Sequence, residues 1–207
     1  MKKTRLLIAS LAAGSIATTA LLAATGGPGG GGYTFVDSDE SYGPSFVALD
    51  IDGDALGLGD EDTAIVDLPF TFEFYGSNEN QVIVGDNGTV FFSGAQGANN
   101  ALCPATSGSY SGIAAYWMDL QVDTIRTETV GQYPYRLFVV DWDGVHPDGI
   151  TGSGRIQTWL REATSEAVII LDDVDYQDTA YDGGAGAVIG IQANASNGLA
   201  WGCAGGF

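Results

Sequence analysis

Three aspartates alternate along Asp50-Ile51-Asp52-Gly53-Asp54, and Asp60-Glu61-Asp62 follows after Gly57 and Gly59. Calcium takes about six to eight oxygen ligands, and carboxylates around a glycine turn can supply several of them. Asp50, Asp52, Asp54 and Glu61 hold the first, third, fifth and twelfth positions of an EF-hand loop. The sixth position is Ala55 where the sharp turn needs Gly, and the eighth is Gly57 where an apolar anchor belongs. The flanking residues read as strands, which argues against an EF-hand and leaves an irregular calcium site in a hairpin as the functional reading. The plainer alternative is a solvated acidic turn.

A second acidic group runs through Asp172, Asp173, Asp175, Asp178 and Asp182, with Tyr176 and Tyr181 interleaved. In a loop, Asp172, Asp173, Asp175, Tyr176 and Asp178 could hold calcium or a sugar hydroxyl, or simply face water. Asp141 and Asp143 flank Trp142; with Trp142 in a core, both carboxylates should face solvent. Tyr116, Trp117, Trp142, Trp159 and Trp201 could stack on sugar rings, but alternating strand positions favour burial. Asn87-Gly88-Thr89 and Asn194-Ala195-Ser196 fit the N-glycosylation pattern.

Enzyme chemistry finds little here. The lone histidine, His146, lies in a turn-like Val145-His146-Pro147-Asp148. Gly108-Ser109-Tyr110-Ser111-Gly112 has Tyr110 where a nucleophile elbow needs Ser. Asp119, Asp141 and Glu162 could serve a glycosidase, but among 26 acidic residues some pair always could. No phosphate-binding glycine loop is present. The sequence therefore assigns no catalytic residue.

The charge sets the partners. Seven Lys and Arg stand against 26 Asp and Glu, for a net charge of −19. That balance disfavours nucleic acid and anionic lipid. Lys2, Lys3 and Arg5 precede a small, apolar stretch from Leu6 to Ala24, the pattern of a signal peptide, read here as residues 1–25. An uncleaved anchor is the alternative. Cleavage leaves 7 − 3 = 4 cationic residues, all Arg, and a net charge of 4 − 26 = −22. No second stretch of that kind follows, so the mature chain would have no membrane span. Repulsion at this charge density calls for screening by a saline habitat, for bound calcium, or simply for a well-solvated exterior.

The elements that must position these groups are strands. Gly26–Gly32 (GGPGGGG) reads as a flexible linker, and residues 33–207 as a single domain. Phe46–Ile51, Ala64–Leu68 and Phe70–Tyr75 read as strands, the last alternating with Phe70, Phe72 and Phe74 on one face. Gln81–Val84 and Thr89–Phe92 flank Asn87-Gly88, a hairpin turn with positive φ expected at both central residues. Ile113–Leu120, Arg136–Trp142, Arg155–Leu160, Ala167–Leu171 and Ala187–Gln192 read as further strands. No helix of three turns is evident. The fold class is all-β: an antiparallel sandwich or jelly roll of about 10–12 short strands. Cys103 and Cys203 are the only cysteines, and in an exported chain they should form a disulfide.

These segments in this order resemble a family. The matching pieces are Gly43-Pro44-Ser45-Phe46 with Asp50-Ile51, Gly57–Asp62, and Leu68-Pro69-Phe70 with Phe72 and Phe74-Tyr75-Gly76. Next come Val82 and Val84 with Asn87-Gly88 and Phe91-Phe92, then Ile113-Ala114 with Tyr116-Trp117 and Asp119-Leu120. Tyr133-Pro134-Tyr135-Arg136, Phe138-Val139-Val140 with Trp142, Ile156-Gln157 with Leu160 and Glu162, and Gly190-Ile191 complete the series. The chain resembles secreted bacterial and archaeal β-sandwich domains related to the extracellular nidogen-type (NIDO-like) domain of adhesion proteins. It departs from them at Ala48 and Leu49, where an aromatic is expected, and at Met118, where a second acid should precede Asp119. The resemblance implies an extracellular adhesion or display domain without defined catalytic residues.

The sequence reading is thus a secreted or cell-surface, non-catalytic binding or adhesion module, exported through a signal peptide. Its partner would be an extracellular glycan or protein. No cofactor is required, and calcium is the cation its acidic residues would take. The alternative is a structural subunit of an extracellular fibre, surface layer or matrix. Such a subunit would self-assemble through the Gly-rich N-terminal segment running into Tyr33-Thr34-Phe35-Val36. A secreted hydrolase is the third option.

Overall fold

In the computed structural model, residues 5–10 are described by their backbone, and residues 24–94, 103–104 and 110–203 with their side chains. Alternation builds the strands. In Thr63–Phe74, Leu68, Phe70, Phe72 and Phe74 are buried while Pro69, Thr71 and Glu73 are exposed. Among the described residues fourteen strands form in chain order: β1 (Arg5–Ser10), β2 (Thr25–Gly26), β3 (Thr34–Asp37), β4 (Asp54–Ala55), β5 (Thr63–Phe74), β6 (Ser77–Gly85) and β7 (Thr89–Gly94) are the first seven. Then come β8 (Tyr110–Trp117), β9 (Leu120–Val130), β10 (Leu137–Pro147), β11 (Gly154–Arg161), β12 (Ala167–Asp173), β13 (Val188–Asn194) and β14 (Asn197–Gly202). The described helical residues are two 3₁₀ turns, Gly30–Gly32 and Asp182–Gly184.

One sheet has the order β2-β3-β1-β12-β11-β10-β9-β4, and the other β14-β13-β8-β7-β6-β5. Pairing is antiparallel except at β1, which runs parallel to both β12 and β3. The two sheets pack as a sandwich. Phe72, Phe74, Val82, Val84 and Ile113 of one meet Phe138, Val140, Trp142, Leu160, Ile169 and Leu171 of the other. Trp142 is fully buried and donates its indole N–H to the carbonyl of Gly85 at 2.8 Å, tying the sheets together. Cys103 and Cys203 are joined as the sequence leads one to expect, closing a loop of 100 residues.

Phe46–Ile51 is not a strand. It crosses the outer face of the first sheet as an extended strap. Val139, Trp159 and Val168 stand side by side on that face, in register across β10, β11 and β12. Such a row needs a cover, and Phe46, Ala48, Leu49 and Ile51 provide it. The side-chain amide of Gln157 fastens the strap, accepting from Leu49 N–H at 3.0 Å and donating to Leu49 C=O at 2.6 Å. Arg155 adds a second donor to that carbonyl at 2.7 Å.

Other segments also differ from the expected pattern. Ala64–Leu68 and Phe70–Tyr75 merge into β5, with an irregular register around Pro69. Strand β9 was not legible, because Thr, Gln, Asp, Arg and Glu fill a wet strand near the sheet edge. At the Asn87-Gly88 turn only Gly88 has positive φ, +70°. The loop is three residues long, between the paired Gly85 and Thr89, so one left-handed residue suffices. The Gly26–Gly32 run is packed: Gly29 N–H donates to Tyr33 C=O at 2.9 Å, and Gly31 abuts the Tyr75 ring.

Candidate functional site

Four connections meet at one end of the sandwich. They are the Asp60-Glu61-Asp62 turn before β5, the Asp86-Asn87-Gly88 turn after β6, Met118-Asp119 between β8 and β9, and Asp148 after β10. Hydrogen bonds from backbone N–H groups, to carbonyls and to two side chains, lock them together. Glu61 N–H donates to Asp86 Oδ2 at 2.8 Å, and Asp86 N–H to Asp62 C=O at 3.2 Å. The fully buried Asn87 accepts Leu120 N–H on its Oδ1 at 2.8 Å. Gly88 C=O accepts Ala115 N–H at 2.9 Å and Tyr116 N–H at 3.1 Å, and Asp148 N–H donates to Asp119 C=O at 3.3 Å. Asn-Gly therefore does more than turn the chain: its polar groups position the start of β9 and hold Asp119 toward Glu61.

The result is a group of three carboxylates. Oxygens of Asp60, Glu61 and Asp119 lie within 4.8 Å of one another. Asp60 and Glu61 are exposed and Asp119 is half-buried. Gln121 Nε2 donates to Asp60 Oδ1 at 2.9 Å. The Asp119 carboxyl is pushed above its ordinary range, first by burial, then by Glu61, Asp148 and Asp60. Every charged group acting on it is acidic, so a cation placed here would relieve the repulsion. All-oxygen, carboxylate-rich surroundings suit a hard divalent ion such as calcium.

The predicted metal set thus divides. Asp60 and Glu61 gather with Asp119, which the sequence reading places in the hydrolase option and in the family comparison but not in the metal set. Asp62 sits beside them and accepts Thr63 N–H on Oδ1 at 2.8 Å. Asp50 lies elsewhere, 3.1 Å from Arg155 Nη1. Asp52 N–H donates to Glu128 at 2.9 Å, and Asp54 pairs with Thr127 in β4. The strap carries Asp50, Asp52 and Asp54 over the outer face, away from the sheet end. Spacing in sequence could not reveal this, because Gly57 and Gly59 let the chain change direction between the two halves.

The Asp172–Asp182 loop is largely spoken for. Asp173 Oδ1 accepts Asp175 N–H, Asp175 Oδ1 accepts Gln177 N–H, and Asp178 Oδ1 accepts Ala180 N–H, at 3.1, 3.1 and 2.9 Å. Asp182 Oδ1 accepts both Tyr176 N–H and Asp178 N–H. The first three are the local turns that aspartate makes with the backbone two residues on, and Asp182 braces the loop from its far end. Asp172 lies 3.8 Å from Arg155. Tyr176 is buried, and burial pushes its phenol well up. A shallow cleft of about 330 Å³ opens where Tyr176, Gln177 and Asp178 face Gly149–Gly152.

The remaining candidates scatter. Asp143 is exposed as expected, but Asp141, also opposite to Trp142, is only 4% exposed. Arg155 grips it through Nε at 3.1 Å and Nη2 at 2.9 Å beneath the strap. Glu162 is held by Arg136 at 2.6 and 2.9 Å, and that guanidinium lowers its carboxyl below the usual range. His146 Nδ1 lies 3.2 Å from the carbonyl of Pro147. Tyr116, Trp117, Trp142 and Trp159 are buried. Among the described residues the exposed aromatics are instead Tyr42, Tyr133 and Tyr135. The last two flank Pro134 in a polar turn, a signal the sequence offered but which alternation arguments pass over.

With the site in place, comparison with known proteins adds one finding. The family described as NIDO related matches residues 32–202. No curated protein and no solved structure gives a significant match.

Proposed function

The chain belongs to the NIDO-related family, and from that premise we propose that it is an extracellular or cell-surface, non-catalytic binding module that holds its ligand with the help of calcium. The carrying observation is the convergence of Asp60, Glu61 and Asp119 at one sheet end, with oxygens within 4.8 Å. A calcium ion there would keep open coordination positions, since two of the three carboxylates are exposed. Hydroxyls of a glycan or a carboxylate of a protein ligand can fill such positions. The acidic composition supports the same reading, because a carboxylate-rich ligand would need a cation to approach this surface. The Cys103–Cys203 link suits an oxidising compartment, in keeping with export through residues 1–25.

The test is a glycan and matrix-protein array probed with the exported protein in calcium and again in EDTA. Binding that disappears in EDTA and with Asp119→Asn is the expected result. Binding indifferent to both would move the site to the exposed Tyr133 and Tyr135. Silence in both arms would overturn the binding reading.

A further inference from the structure

The first sheet is built around a strand that export would remove. β1 lies between β12 and β3, with Leu6 to Ser10 in register against Ala167 to Leu171, and Arg5 to Ile8 against Thr34 to Asp37. On its other side, β12 pairs with β11 alone. β12 is apolar on both faces: Ala167, Ile169 and Leu171 join the core between the sheets, and Val168 and Ile170 lie under the strap. Such a strand belongs in a sheet interior; left as an edge, it is a template for pairing.

β3 is poorly placed to close over the vacancy. Moving beside β12 would take it about 4.8 Å, one strand spacing. The residue just before it is pinned: Tyr33 Oη accepts Tyr75 N–H at 2.9 Å, and the two rings stack with centroids 4.2 Å apart. Gly31 is seated against the Tyr75 ring just before that pin.

Resting on the reading that the leader is cleaved, we infer that the slot between β12 and β3 is a strand-acceptor site. It takes an extended apolar strand of about six residues from a partner chain, parallel to β12, by main-chain pairing. The occupant in the full chain shows the chemistry required: Arg-Leu-Leu-Ile-Ala-Ser, preceded by Lys2 and Lys3. A basic flank also fits the host, which keeps four cationic residues against 26 acidic ones once Lys2, Lys3 and Arg5 have left.

The test uses the full chain with a specific protease site substituted within residues 11–23. After nicking, the N-terminal fragment should stay bound on gel filtration. It should then exchange for a dye-labelled peptide of residues 2–10. The same peptide carrying Ile8→Pro, which loses a strand N–H, should bind at least tenfold more weakly. Equal binding of the two peptides would overturn the proposal. So would release of the fragment with no uptake of label, which would mean β3 closes the slot, or oligomers that the peptide does not disperse, which would make a second copy the occupant. Intact mass of the exported protein tests the premise separately: retention of residues 1–24 would refute leader removal and leave the peptide result standing.

Discussion

Calcium should stabilise this protein by an amount that the site's geometry bounds. Three carboxylates, two of them exposed, make an open site of the kind that binds at about 0.1–1 mM. At 10 mM calcium, roughly 10–100 times that constant, linkage gives about 1.4–2.7 kcal/mol. A domain of this size gains about 2–4 °C per kcal/mol, so the melting temperature should rise by roughly 3–11 °C over EDTA. Scanning fluorimetry with NaCl matched for ionic strength separates binding from screening. Asp119→Asn should abolish the rise. It should not lower the calcium-free melting temperature at neutral pH, because burial first, and then its acidic neighbours, already disfavour the ionised Asp119 carboxyl there. The sign with pH follows. A carboxyl whose folded value is raised costs stability when ionised, and that cost fades as pH falls through the raised value toward the ordinary 3.8. Any calcium-free advantage of Asp119→Asn should therefore shrink on acidification. An equal rise with matched NaCl, or a calcium response that survives Asp119→Asn, would refute the reasoning.

Other outcomes follow from the framework around the site. Arg155→Met strands Asp141 beneath the strap and should cost about 3–5 kcal/mol in urea unfolding, while the double variant Arg155→Met with Asp141→Leu should recover much of it. Replacing both cysteines with Ser opens the 100-residue loop and should cost up to about 4.7 kcal/mol, read as a fall in melting temperature of up to about 9–19 °C. Gly88→Ala meets Tyr116 C=O at 2.6 Å as well as an unfavourable φ of +70°, whereas Gly76→Ala, at φ +82°, has open space. Calorimetry should therefore find Gly88→Ala worse by about 2 kcal/mol or more, beyond the strain of about 1 kcal/mol that both share.

Local patterns in the chain were enough to place the fold in its class. Phe70, Phe72 and Phe74 announce a half-buried strand because a two-residue period has one physical meaning in a pleated chain. Asn87-Gly88 likewise marks its turn, and two cysteines in an otherwise cysteine-free chain mark their bond. Membership in the NIDO-related family was legible too, carried by the order of such pieces. What alternation cannot report is what lies opposite. Phe46–Ile51 reads as an apolar strand, yet the apolar row of Val139, Trp159 and Val168 claims it as a cover. Asp141 reads as solvent-facing from Trp142, yet Arg155 and the strap enclose it. The site divides in the same way. Asp60 and Glu61 were legible as neighbours in sequence, but Asp119 joins them, and Asp50 leaves them, only through the long-range pairing of turns. Local patterns fix which way a side chain points from its own backbone. Only the packing of the two sheets decides which charges then share a site, because that depends on contacts between residues far apart in the chain.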